Sequence, residues 1–165
     1  MKEALKEAHK AFDKNECPIG CVIVKDGKVF VRAHNLRLTH NNALAHAEVV
    51  AINKACRKLG DFRLENCDMY VTLEPCTMCS GALIHSRLNN LYFGAYDLKT
   101  GACGSRFNIL GSCEYNHIVN VTGGILKEEC QNIISDFFKA RRKMQKEGRD
   151  WIVESGKVRS WQKNV

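Results

Sequence analysis

Apolar and polar positions along this 165-residue chain change period several times, and each change marks an element. Over residues 2–14, Leu5, Ala8 and Phe12, with Ala4 and Ala11, share one face at helical spacing, which predicts an amphipathic helix. Two apolar runs follow, Ile19 to Val24 and Val29 to Ala33, and the Asp26-Gly27 pair between them is a strong hairpin signal. Residues 46–59 return to the helical period, with Val49, Ile52, Cys56 and Leu59 forming a stripe that stops before Gly60. Met69 to Leu73 reads as a short strand, and Pro75 then suits the first turn of a helix reaching about Ser86. Leu88 to Gly94 predicts a fourth strand, residues 97–116 a loop, and His117 to Val121 a fifth strand. A last helix from about Lys127 to Lys146 puts Cys130, Ile133, Ile134, Phe137 and Phe138 on its buried side. This order predicts the α/β class, a mixed sheet with helices on both faces.

No repeat, low-complexity stretch or proline-rich linker divides the chain, so residues 1–147 read as one domain. Residues 148–165 form a basic C-terminal extension to which the pattern assigns no structure. No apolar run approaches the ~18 residues a membrane span requires. The opening Met1-Lys2-Glu3-Ala4-Leu5-Lys6-Glu7-Ala8 mixes acid with base, unlike a signal or transit peptide, and predicts a cytoplasmic location.

Two features of composition bear on chemistry. Nine cysteines, an odd number without dense spacing, argue against a disulfide framework. Seven of them are scattered and read as small buried hydrophobes; Cys76 and Cys79 form the one tight pair. The net charge of +7 is also uneven: residues 139–165 hold nine Lys or Arg against three Asp or Glu. That end is either a solvated helix terminus or a surface for a polyanion.

In Pro75-Cys76-Thr77-Met78-Cys79, the two cysteines lie one turn apart where a helix starts. The unpaired N–H groups and partial positive charge there favour thiolates, the form that binds zinc. Alone, such a pair also fits a redox site. The segment His46-Ala47-Glu48, at another helix start, supplies the other half. His46, Cys76 and Cys79 make three ligands, which leaves the fourth tetrahedral position of a zinc ion for water, as in a catalytic site. The ion lowers the pKa of that water from about 16 towards 7, and Glu48 is placed to move its protons. H-x-E followed at a distance by P-C-x-x-C is the signature of the zinc nucleobase deaminases, of cytidine-deaminase-like fold.

Beyond these motifs the chain resembles the bacterial tRNA-specific adenosine deaminases. The likeness runs from about Ala4 to Lys143. It includes Pro18-Ile19-Gly20-Cys21-Val22-Ile23-Val24, the segment from Tyr70 to Ala82, Ile84-His85-Ser86-Arg87 and the segment from Phe93 to Ser105. Asn116-His117, Gly124-Ile125-Leu126 and Asp136-Phe137-Phe138 with Arg141-Arg142 complete it. The resemblance implies a three-layer α/β/α fold with a mixed five-stranded sheet, a homodimer and one zinc ion per subunit. It implies hydrolytic conversion of adenosine to inosine at the wobble position of a tRNA anticodon, principally that of an arginine tRNA. Carried over by position, Asn35 hydrogen-bonds the target base and the N–H of Ala47 lies beside the purine. Asp97 and Lys99 touch the anticodon strand, and His85 and Ser86 lie near RNA. Phe137, Phe138, Arg141 and Arg142 belong to a final helix that closes over the anticodon stem-loop.

Physical considerations agree with such a substrate. A base in an anticodon loop is already single-stranded, so extruding it costs only about a few kcal/mol. Lys139, Arg141, Arg142, Lys143 and Lys146 can follow phosphates. Phe137 and Phe138 are adjacent and cannot both sit at the centre of the last helix's buried side, so one is expected in the core and the other free to stack. Tyr96, where the family often has a basic residue, and Cys103, in place of a small apolar one, depart from the pattern. Two rival readings are a free nucleobase or nucleoside deaminase of the same fold, and a non-catalytic tRNA-binding subunit. The basic last helix disfavours the first, and retention of Glu48 the second.

Overall fold

A computed structural model describes residues 1–111 and 115–148. Its elements are α1 (Lys2–Asp13), β1 (Gly20–Lys25), β2 (Lys28–His34), α2 (Ala47–Leu59), β3 (Cys67–Leu73), α3 (Thr77–His85), β4 (Asn90–Ala95), β5 (Asn120–Thr122) and α4 (Lys127–Lys146). The strands form one sheet in the order β2-β1-β3-β4-β5. β1 is antiparallel to both β2 and β3, whereas β3, β4 and β5 run parallel. α1 and α4 pack on one face, α2 and α3 on the other, giving the three-layer α/β/α arrangement. Apart from Gly148, the expected extension lies outside the described residues.

Local chemistry explains the main junctions. Asp26 and Gly27 both take positive φ (51° and 70°), as a two-residue hairpin turn between β1 and β2 requires. α2 ends at Gly60 in the left-handed conformation, its N–H bonded to the carbonyl of Cys56. Pro75 is not in the first turn of α3 as its sequence position suggests. Cys76 is the N-cap, with extended backbone (φ −75°, ψ 176°), because the Pro75 carbonyl accepts the Ala102 N–H and Cys76 pairs with Gly101.

The helix faces also differ from the predicted stripes. α1 buries Ala4, Glu7, Ala8 and Ala11, with Leu5 and Phe12 only half-buried. The cause is Gly20, where the helix backbone rests directly on the strand: an added Cβ would come within 2.0 Å of the Ala4 carbonyl oxygen. α2 likewise buries Ala47, Glu48, Ala51, Ile52 and Ala55, leaving Val49, Cys56 and Leu59 at the margin. In α4, Cys130, Ile133 and Phe137 are buried, Ile134 half-buried and Phe138 exposed. Phe137 meets Phe12 edge-on at 5.6 Å, which joins α4 to α1.

The sheet margins are modest. β5 is three exposed residues long. On β2, the carbonyls of Arg32 and Phe30 accept the ammonium groups of Lys54 and Lys58 from α2, at 3.0 and 2.9 Å. Every cysteine among the described residues is free. Burial holds the thiols of Cys17 and Cys130 up at about 11 and that of Cys103 at about 12, so they stay protonated and inert. No helix among the described residues is long and apolar enough to cross a membrane.

Candidate metal centre and substrate cleft

The ends of the parallel strands and the starts of two helices build the centre. His46 is the N-cap of α2, Cys76 the N-cap of α3, and Cys79 lies in the first turn of α3. His46 Nδ1 is 3.8 Å from Cys76 Sγ and 3.6 Å from Cys79 Sγ, and all three atoms lie within 4.8 Å of one another. Zinc bonds of about 2.3 Å to sulfur and 2.0 Å to nitrogen put tetrahedral N and S ligands about 3.5 Å apart. The donor set and its spacing therefore fit zinc. Among the described residues this is the one His, Cys, Asp or Glu group arranged to hold a metal.

Electrostatics within the triad agree with that reading. The hydrogen bond from Cys79, followed by that of His46, draws the Cys76 thiol down to about 4 against the opposing effect of burial. Sharing that proton, and burial, push the Cys79 thiol up. Cys76 is thereby eased toward the thiolate, the form a soft cation binds. Glu48, in the first turn of α2, is 4% exposed, and burial raises its carboxyl above the ordinary value. Its Oε2 has no hydrogen-bond partner among the described residues. Buried polar atoms are nearly always paired, so an open one beside a triad of metal-type donors marks a candidate for chemistry.

Beside the triad lies a cleft of about 590 Å³ whose lining includes Glu16, Asn35, Arg37, Phe137, Phe138 and Arg141. The triad residues do not line it; the segment 35–46 connects the two. Its ends are closed by the Leu36 N–H on the Ala45 carbonyl at 3.0 Å, so Asn35 stands next to the strand of chain that delivers His46. Asn35 is 2% exposed and gives its Nδ2 to Glu16 Oε2 at 3.0 Å, while Glu16 Oε1 accepts the Thr39 N–H at 2.6 Å. Ala47 occupies the first position of α2, where helix N–H groups lack intrahelical partners.

The other predicted residues are dispersed. Phe138 is 39% exposed and Phe137 only 2%, the split their adjacency requires. Arg142 is exposed but is not part of the cleft lining. Asp97 and Lys99 lie on the loop after β4, where the Asp97 carboxylate accepts the N–H groups of Lys99 and Thr100. His85 is exposed in a second cleft, with Phe62, Arg87 and Tyr115. Ser86 is 4% exposed and donates its hydroxyl to the Leu83 carbonyl, so this side chain serves the end of α3 and not the surface. Tyr96 is 44% exposed, with Lys127 Nζ 5.6 Å from its ring centre. Sequence reasoning missed Glu16 and Arg37: single charged residues carry no signature, and their place follows from chain segments far apart.

Comparison with known proteins adds to this geometry. The sequence model of the MafB19-like deaminase family matches residues 1–142. The tRNA-specific adenosine deaminase of Bacillus subtilis is 49% identical over 154 residues, 93% of this chain and 96% of that one. The chain belongs to the tRNA-specific adenosine deaminase family. The Haemophilus influenzae member is 44% identical, over 88% of this chain and 85% of its own. Among solved structures, one from a study of A-to-I editing by tRNA:A34 deaminases superposes with a TM-score of 0.78 at 42% identity, covering 81% of this chain and 96% of its own. The guanine deaminase of Nitrosomonas europaea (TM-score 0.73, 21% identity, 82% and 81% covered) shares the fold with this family member.

Proposed function

We propose that this family member deaminates adenosine to inosine hydrolytically at the wobble position of a tRNA anticodon, principally that of an arginine tRNA. The observation that carries the proposal is the buried Glu48 carboxyl, with an open oxygen beside a His46–Cys76–Cys79 donor set. Zinc, when held by these three, supplies the Lewis acidity that lets water ionise at neutral pH. Glu48 Oε2 takes a proton from the attacking water and returns it to the leaving nitrogen, so that C6 gains oxygen and the amino group departs as ammonia. The N–H of Ala47 lies beside the purine. Asn35, whose amide nitrogen is held by Glu16, keeps its Oδ1 and second N–H for the edge of the base.

The cleft supports an RNA substrate. Phe138 offers a face for stacking and Arg141 a charge within it, and the exposed Arg142 and Lys99 offer charge to phosphates outside it. His85 is placed with the same partner. The exposed Phe62 (65%) and Tyr115 (47%) beside it supply apolar surface of the kind that subunit contacts bury, in keeping with a homodimer. A tRNA substrate places the enzyme in the cytoplasm, and residues 1–147 constitute the deaminase domain.

The test offers purified protein an anticodon stem-loop with a wobble adenosine and, separately, free guanine, cytosine and cytidine. The expected result is inosine in the stem-loop, one zinc per chain and loss of turnover after chelation. Ammonia release from the free compounds alone would replace this proposal with a small-substrate deaminase.

A further inference from the structure

Glu74 lies where the metal-binding segment meets the loop after β4, and the mechanism above gives it no part. Its side chain is 2% exposed. Four donors converge on it: the N–H groups of Cys103 and Ser105 on Oε1, each at 3.0 Å, the N–H of Asp97 on Oε2 at 3.0 Å, and the Ser105 hydroxyl on Oε2. With only donors around it, the site suits a head group that accepts at both oxygens, which a carboxylate does and an amide of the same shape does not. All four donors belong to residues 97–105. A second strut joins the same parts: the Ala102 N–H reaches the Pro75 carbonyl at 2.8 Å, and Gly101 bridges Cys76. The loop is drawn tightly onto the carboxyl, since a Cβ on Gly101 would stand 2.5 Å from Glu74 Cδ and from the Asp97 carbonyl oxygen.

We infer that Glu74 is a positioning residue for the RNA substrate. It shapes residues 97–105 around its own head group and fixes Asp97 and Lys99 relative to Cys76, so that the metal centre and the RNA-facing loop move as one piece. Ordering this loop beforehand removes a cost that binding would otherwise carry. The inference rests on the RNA contact proposed above for Asp97 and Lys99.

The test measures kcat and KM for inosine formation in the anticodon stem-loop, with zinc per chain, in Glu74→Gln and Ser105→Ala. Glu74→Gln is expected to raise KM about tenfold, with kcat within about threefold and zinc retained. Ser105→Ala, which keeps the three backbone contacts and tests the same point in a mildly altered protein, is expected to raise KM about two- to threefold. Unchanged KM in Ser105→Ala, or activity lost in step with zinc in both variants, overturns the inference. A wild-type protein inactive on the stem-loop overturns the function proposed above and this inference with it; an active wild type with indifferent variants overturns this inference alone.

Discussion

Replacing Gly20 with alanine tests the contact that seats α1 on the sheet. The added Cβ would lie 2.0 Å from Ala4 O, 2.4 Å from Ala8 N and 2.9 Å from Glu7 C, all backbone atoms of α1. Backbone in a regular helix cannot swing aside as a flexible side chain can, so the whole helix must retreat. Ordinary contact begins near 3.4 Å, which leaves the Ala4 contact 1.4 Å short. A retreat of that size opens space around Ala4, Ala8 and Ala11, each now 0% exposed. Overpacking costs about 1–3 kcal/mol in general, and with no soft neighbour to yield, about 3 kcal/mol is expected here. For a domain of this size that lowers Tm by about 6–12 °C. The shift also reaches the site, because the Glu16 N–H is bonded to the Ala11 carbonyl at 2.9 Å and Glu16 holds Asn35. Thermal denaturation of the zinc-loaded protein, alongside kcat/KM on the stem-loop, reads both effects. Gly81→Ala is the control: nothing lies within 4 Å of its Cβ position, so Tm should hold or rise. A Gly20→Ala protein melting within about 2 °C of wild type would refute the backbone contact as the source of α1's placement.

Glu48→Gln should lower kcat by about 10²- to 10⁴-fold while zinc per chain, measured by atomic absorption, stays the same. Phe137→Ala, in the core, should cost about 3–5 kcal/mol in denaturant titrations. Phe138→Ala should leave stability nearly unchanged yet weaken stem-loop binding by about 1–3 kcal/mol in a fluorescence titration. Burial pushes the Glu7 carboxyl up, but hydrogen bonds from Lys10 and His34 outweigh it and hold the group below its ordinary 4.5. A carboxyl depressed in the folded state stabilises fully above that value and loses its contribution as pH falls through the folded one. Melting curves taken from about pH 6 to pH 3 should therefore fall more steeply for wild type than for Glu7→Gln; parallel curves would remove Glu7 from acid stability.

The elements and the chemistry were legible in the sequence for one reason: both are written in short spacings. Two apolar runs around Asp26-Gly27 give the hairpin, and His46-x-Glu48 with Cys76-x-x-Cys79 gives the donor set. What could not be read depends on how closely backbones approach. Gly20 lets α1 sit so low that alanines, not Leu5 and Phe12, form its most buried face. Pro75 looks like a first-turn proline, but Ala102 claims its carbonyl from 27 residues away and sets the start of α3 at Thr77. The burial of Ser86, whose hydroxyl is given to the Leu83 carbonyl, likewise has no mark in the sequence. Glu16 and Glu74 gain their roles from partners 19 to 31 residues distant. For Glu74 a signal was present, an acid wedged between an apolar strand and a Pro-Cys pair, where a charge needs compensation.

The lysines that cap the outer carbonyls of β2 matter for how the protein survives crowding. A strand at the border of a sheet invites another chain to pair with it, and that is how soluble proteins begin to polymerise. Here two of the acceptors on that border are already occupied by ammonium groups from α2. The opposite border is too short to template much pairing. Substituting methionine for Lys54 and Lys58 together would leave the sheet intact but its border sticky, and light scattering in concentrated samples should register the change well before activity does.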